Sequence, residues 1–335
     1  MPDTPHQRRQ SLLFGPRSRG AGAQPRNPDR LKHAVFVPNV GNFGLASDLV
    51  DFAEIAWNCG WDGFFIWDHL VFGGANTADP AVTLAAIAQS SLSWRRQAKQ
   101  KAQSVFTIGV LVTPVPRRRA WKLAKEIATV ATLLDATNRQ PADRKIELVW
   151  GFGLGVEEDY LVTGEPEQTT SQRAAQTDEG IRLIRRLLAG GEHDFRPLPD
   201  TKVQLWSALS WVVGKALGDH PAGPARRAAG LDGVFPVPLP WPDPWEHSSE
   251  LTPDQIKELS ELITQLQEGR EIAADGWPVD LAACGQSNRT GPDARRGRDA
   301  GYREAGLTWW LELAQPNDEL DSTKKWIEAG PVEDF

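Results

Sequence analysis

The feature that most constrains this chain is an alternation that begins at residue 33 of 335. Short apolar runs ending in turn residues alternate with longer stretches whose apolar positions repeat at helical spacing. Ala34-Val35-Phe36-Val37-Pro38-Asn39 is the first run. Ser47 is the expected cap of a helix in which Leu49, Val50, Phe52, Ala53, Ile55 and Ala56 form one face, and Gly60 ends it. Gly63-Phe64-Phe65-Ile66-Trp67 is the second strand, and Asp79-Pro80 opens the next helix in cap-then-proline order. Further strands are expected at 106–112, 146–150, 202–206, 233–235, 280–283 and 308–313. Helices are expected at 118–134, 172–188, 221–229, 252–266, 293–305 and 317–329, the last closed by Gly330-Pro331.

Strands that are apolar throughout, rather than alternating, are buried on both faces, as parallel strands are. Eight strand–helix units point to an α/β fold of the (β/α)8 TIM-barrel type; an open doubly wound sheet is the alternative. The barrel is expected to occupy residues 31–335 as a single domain. Residues 1–30 are expected to be a flexible, disordered basic tail. They hold five Pro, and six Arg against two acids, a net +4 within the chain's −7, so the remainder carries −11. Arg8-Arg9 ahead of Ser11-Leu12-Leu13-Phe14 is not read as an export signal, because Gly15-Pro16-Arg17 ends the apolar stretch at once. The expected setting is the cytoplasm.

Composition narrows the function classes. No run approaches the ~18 apolar residues of a membrane helix. Cys59 and Cys284 are too few for a disulfide framework or a thiolate zinc site. The acidic balance disfavours a nucleic-acid surface. The six histidines show no H-x-x-x-H spacing, and serine-hydrolase, zincin and Walker A signatures are absent. The anomaly is 14 Trp beside 2 Tyr and 1 Met, read as core filling and walls for a flat pocket.

In a barrel, chemistry gathers at the carboxyl ends of the strands. That rule selects Asn39, Asp68-His69, Thr113, Gly151–Gly155, Ser207, Gly285 and Glu312. Asp68-His69 is the most specific pair: the imidazole exchanges protons near neutral pH, and the carboxylate can set its charge or take a ligand N–H. A loop cap with a satisfied rim histidine is the plainer reading. Gly151-Phe152-Gly153-Leu154-Gly155 lets backbone approach a flat or anionic ligand, or else makes a tight turn; it is not a dinucleotide fingerprint. The loop Gly285-Gln286-Ser287-Asn288-Arg289-Thr290-Gly291 suits phosphate or a solvated connector, and Arg117-Arg118-Arg119 an anionic ligand or a solvated helix start. Arg117–Arg119 and Arg289 are the expected grips for a phosphate.

Several of these stretches resemble the luciferase-like flavin-dependent oxidoreductases. They are Val37-Pro38-Asn39, Gly60-Trp61-Asp62-Gly63-Phe64-Phe65-Ile66-Trp67-Asp68-His69, Asp79-Pro80, Val112-Thr113-Pro114-Val115-Pro116-Arg117-Arg118-Arg119, Trp121-Lys122-Leu123-Ala124, Gly151-Phe152-Gly153-Leu154-Gly155 and Glu304-Ala305-Gly306-Leu307-Thr308-Trp309-Trp310-Leu311-Glu312. The resemblance spans about 33–330 in the family's order. It implies a (β/α)8 barrel using FMN or the 5-deazaflavin coenzyme F420. It makes Asp68 a contact to the ring edge and His69 an acid, base or orienting group near the reactive centre. Asn39, Thr113, Gly151, Phe152, Gly153 and Ser207 become cofactor contacts, and Val110-Leu111 the site of a non-proline cis peptide. Relatives are commonly dimers, so a homodimer is implied.

Departures are visible too. Leu154 stands where deazaflavin-dependent sugar-phosphate dehydrogenases of the family carry a catalytic Glu, and Ser207-Ala208 replaces a Gly-Gly pair that helps hold phosphate. Residues 92–104 and 136–144 are longer than the family's connections, and 190–202 shorter. The implied activity is hydride transfer to or from a small organic substrate, or monooxygenation with FMN. A barrel that binds without turnover, and a non-flavin barrel lyase or hydrolase, are the alternatives.

Overall fold

The computed structural model describes residues 30–71, 75–94, 105–140, 144–189, 202–212, 222–239, 241, 249–268, 279–287 and 292–331. Eight parallel strands close into a barrel in chain order. They are β1 (Lys32–Val37), β2 (Gly63–Ile66), β3 (Val105–Pro114), β4 (Lys145–Gly153), β5 (Val203–Val212), β6 (Gly233–Leu239), β7 (Asp280–Gly285) and β8 (Trp309–Leu313). Closure is direct: Ala34 pairs with Gly63 on one side and Leu311 on the other. Around the barrel stand α1 (Ala46–Asn58), α2 (Pro80–Trp94), α3 (Ala120–Asn138), α4 (Glu157–Thr163), α5 (Thr170–Leu188), α6 (Ala222–Ala228), α7 (Pro253–Glu268), α8 (Pro292–Glu304) and α9 (Leu320–Glu328). The expected barrel is therefore the observed one, and the open sheet is excluded. The tail, residues 1–29, and most of the stretches 92–104 and 190–202 lie outside the described residues. None of the described helices is long and apolar enough to cross a membrane.

Period-two side-chain alternation sorts each strand into two layers. Outward residues such as Phe64, Ile108, Leu148 and Trp150 pack against α1, α2, α3 and α5, whereas Val234, Leu281 and Trp310 pack against α6, α7 and α8. Inward residues fill the barrel: Phe36, Phe65, Trp67, Leu111, Trp206, Phe235, Trp309, Leu311 and Leu313. Glycines make the space these rings need. A Cβ on Gly233 would meet the Trp206 indole at 2.5 Å, and one on Gly109 would meet the Phe65 ring at 2.8 Å. Trp206 and Trp309 thus account for part of the tryptophan surplus as barrel filling, with Phe65 5.9 and 5.6 Å from their ring centroids.

Boundaries differ from expectation where local chemistry was misleading. Leu45, not Ser47, precedes the first turn of α1, and Ser47 lies inside the helix. Asp79 does cap α2, its Oδ1 accepting from the Val82 N–H at 2.9 Å. Strand β6 continues through Pro236 and Pro238, beyond the expected 233–235. Two prolines two residues apart lose N–H donors on the same edge. Pairing with β5 runs on to Leu239 while pairing with β7 stops at Val234, so the missing donors fit the unpaired side. The helix α4 was not expected at all.

Candidate active site at the strand carboxyl ends

Asp68 and His69 leave the end of β2 into the mouth of the barrel. Asn39, at the end of β1, fixes the turn that carries them. Its Oδ1 accepts from the His69 N–H at 3.0 Å, and its Nδ2 donates to the carbonyls of His69 and Ala78 at 2.9 and 2.8 Å. With both amide hydrogens and the carbonyl engaged, Asn39 mounts the histidine.

The basic run Arg117–Arg119 was open to two readings, and its first two members turn inward. Arg118 Nη2 donates to both oxygens of Asp68 at 2.7 Å. Arg117 donates to the Asp68 carbonyl at 3.1 Å and, through Nη1, to Asp159 Oδ2 at 2.7 Å. The Asp68 side chain is 1% exposed and that of Arg117 4%. The Asp68 carboxylate is therefore held by arginines, where the resemblance implies a contact to the ring edge.

Asp159, on α4, is the residue that sequence reasoning missed. Its Oδ1 accepts from the N–H groups of Leu70 and Val71 at 3.3 and 3.4 Å, and its Oδ2 lies 3.5 Å from His69 Nδ1. Burial alone would push this carboxyl up, but the contacts with His69 and Arg117 outweigh it and hold it below the usual carboxylate range. His69, its side chain 31% exposed, keeps Nε2 as the ring nitrogen not turned to Asp159. The only signal in the sequence was Glu157-Glu158-Asp159 after the glycine cluster, and nothing marked which acid turns inward.

The expected cis peptide is one residue further on than expected: it joins Leu111 and Val112, not Val110 and Leu111. The β3–β4 register shifts between Val110 and Thr113. Val110 faces the helix layer, while Leu111 and Val112 both pack on the barrel side. The strand-four glycines answer to that packing. A Cβ on Gly151 would meet Leu111 Cδ2 at 2.5 Å, and one on Gly153 would meet Val112 Cγ2 at 2.7 Å. Phe152 faces the helices, and Thr113 Oγ1 accepts from Trp150 Nε1 at 3.0 Å. Ser207, expected at the carboxyl end of its strand, lies in the middle of β5 because that strand runs on to Val212, and it donates to the Ala208 carbonyl at 3.1 Å.

Two tryptophans meet over the barrel. Trp67, just past β2, and Trp241, just past β6, stand edge to face with centroids 5.2 Å apart, and Trp67 lies 5.6 Å from the His69 ring. Trp241 Nε1 is 3.5 Å from Gln315 Oε1, beyond β8. Trp67 Nε1, Gln315 Nε2 and the Nε of Arg117 and Arg118 are buried donors without an acceptor among the described residues. At the end of β7, Glu250 Oε1 accepts from the Gln286 N–H at 3.1 Å, and Glu312 Oε2 accepts from Ser287 Oγ at 2.5 Å and Trp310 Nε1 at 3.1 Å. Asn288–Gly291, including Arg289, lie outside the described residues.

This barrel has solved counterparts. A coenzyme F420-dependent tetrahydromethanopterin reductase from Methanopyrus kandleri superposes with a TM-score of 0.56 over 90% of this chain and 97% of its own, at 12% identity. The likeness is one of fold, a closed barrel of eight parallel strands. The oxygenating constituent of 3,6-diketocamphane monooxygenase from Pseudomonas putida, solved with FMN, gives a TM-score of 0.51 at 14% identity, covering 88% of this chain and 84% of that one. The long-chain alkane monooxygenase LadA gives 0.53 at 11% identity, covering 90% of each chain. No family model and no curated protein matches the sequence.

Proposed function

We propose that the chain is a flavin- or deazaflavin-dependent oxidoreductase acting on a small, apolar organic substrate. The observation that carries this reading is the mount of His69: backbone fixed by Asn39, Nδ1 beside a buried Asp159, ring on Trp67, at the carboxyl end of a barrel strand. Buried groups in such number around one half-exposed histidine are arranged for function rather than for packing.

The mouth suits the ring of FMN or F420 in its donor chemistry. Both rings are flat and bear carbonyl oxygens, and the unpaired donors of Trp67, Gln315, Arg117 and Arg118 call for acceptors. Asp68 does not fit its implied part, because its carboxylate is taken by Arg118 and Arg117. When bound, the cofactor would supply hydride transfer or, for reduced FMN, oxygen activation. The protein's own work is positioning. Trp67 and Trp241 present aromatic surface, His69 exchanges a proton at Nε2, and Asp159 steadies the ring from Nδ1.

The test uses reduced FMN or F420 with alkanes, aldehydes and ketones, followed by product mass. His69→Ala is expected to lower turnover at least about 10²-fold while cofactor affinity changes little. Turnover independent of His69, or activity persisting once cofactor is removed, would overturn the reading. One observation favours a second reading, a barrel that binds without turnover: the sealing of Asp68 by two arginines. Cofactor binding with no turnover of any of the three substrate classes would select it.

A further inference from the structure

The inward rows of the strands rise to the mouth in steps of two residues, and three of them end in one layer. Phe65 on β2 leads to Trp67, Leu311 and Leu313 on β8 lead to Gln315, and Phe235 and Val237 on β6 lead to Trp241. The end of β1 lies between the first two. The Trp67 N–H donates to the Val37 carbonyl at 3.1 Å, and the Ala314 N–H donates to the Phe36 carbonyl at 2.9 Å. Trp67 and Gln315 therefore flank one strand end at nearly one height. Below them the Phe36 ring meets Trp67 and Phe235 at 5.9 and 5.5 Å, which makes the floor aromatic.

Two donors in this layer lack an acceptor. Trp67 is 7% exposed and Gln315 8%, and neither Trp67 Nε1 nor Gln315 Nε2 has a partner among the described residues. An indole nitrogen only donates, so the 3.5 Å contact from Trp241 Nε1 turns the Gln315 oxygen to Trp241 and leaves the NH2 group over. Burying such donors unmatched is costly, and a ligand oxygen relieves the cost. Both donors are uncharged and stand among aromatic rings, a setting that suits a carbonyl better than a carboxylate. The Trp67 ring is also 5.6 Å from that of His69, so an oxygen held on its N–H lies close to the proton-exchanging group.

We propose that Trp67 Nε1 and Gln315 Nε2 form a two-donor seat for an uncharged carbonyl oxygen. This deepens the cofactor reading above and rests on it for the two sources of that oxygen: a carbonyl of the flavin or deazaflavin ring, or the carbonyl of an aldehyde or ketone substrate.

Carbon-13 NMR of labelled carbonyls bound to the purified full chain tests the seat. The probes are FMN and its 5-deaza analogue labelled at the two ring carbonyls, and octanone labelled at its carbonyl carbon, added alone and with unlabelled FMN. A labelled carbonyl is expected to move downfield on binding, as a hydrogen-bonded carbonyl does, and the probe that moves identifies the source. Trp67→Phe keeps a ring and removes the N–H, and Gln315→Met keeps the length and removes the amide. In each variant the shift is expected to fall back and the affinity of that probe to drop about fivefold. Saturable binding of a ring probe with no carbonyl shift, or with a shift unchanged in both variants and no shift of octanone, would overturn the seat and leave the cofactor reading intact. Octanoate binding about tenfold more tightly than octanone would overturn the uncharged class of ligand. A shift of octanone that needs both donors, in a chain that binds neither ring probe, would keep the seat and remove the cofactor reading. Binding of none of the probes would overturn the proposal.

Discussion

Arg144 carries its guanidinium into the layer between barrel and helices. It donates to the carbonyls of Trp57, Trp61 and Val105 at 3.2, 2.6 and 3.4 Å, with the Trp57 and Phe106 rings 4.9 and 5.0 Å away. Burial lowers its pKa to about 10, Asp62 partly offsetting the cost. Arg144 therefore closes the end of α1 and ties it to β3. Arg144→Met leaves these carbonyls without a donor and is expected to cost about 3 kcal/mol in urea unfolding. Arg144→Lys should recover only part of that, since one ammonium cannot match a planar fork. A methionine variant within about 0.5 kcal/mol of wild type would contradict the role.

The same scale shows what a residue's identity conceals. Arg117–Arg119 and Glu157-Glu158-Asp159 are both charge runs, and such runs are usually solvated. In each, the fold turns particular members inward: Arg117 and Arg118 from one, Asp159 from the other. Which members of so short a segment turn inward follows from the tertiary path, which a local pattern does not carry. His69 and Asn39 were legible because a barrel rule, not a local one, selects strand ends. The glycines of β4 were legible as a need for space, but the space is filled by Leu111 and Val112 and not by backbone meeting a ligand.

At the level of elements, α4 shows how one short helix is tied to the site. Two N–H groups of the loop after β2, the Arg117 guanidinium and His69 all converge on Asp159. Because the folded carboxyl is held below its unfolded value near ~3.9, its stabilisation is present above that pH. It is lost as pH falls through the lower folded value. Asp159→Asn is expected to cost about 3 kcal/mol near neutrality. The gap between variant and wild type should narrow below about pH 4, as urea midpoints at pH 7 and pH 3 would show. A gap of equal size at both values would contradict the tie. Most elements were legible because their apolar periods are strong. Strands β5 and β6 were read too short because prolines and polar residues break the pattern, while parallel pairing with one neighbour suffices to hold them. Helix α4 was missed because at seven residues its period is too brief to register.

For the whole molecule, eight strand–helix units fix a closed barrel, and closure puts eight strand ends at one mouth. There the aromatic interior rises to Trp67 and Trp241, charges pair with one another, and a few buried donors have no acceptor among the described residues. We propose that this mouth takes a flavin or deazaflavin ring beside His69. Titration of the purified chain with FMN and with F420, read as the visible difference spectrum, tests it most directly. The expected result is a saturable, perturbed band with at least one of the two, weakened when Trp67 is replaced by Ala. No spectral change with either, up to millimolar concentration, would contradict it.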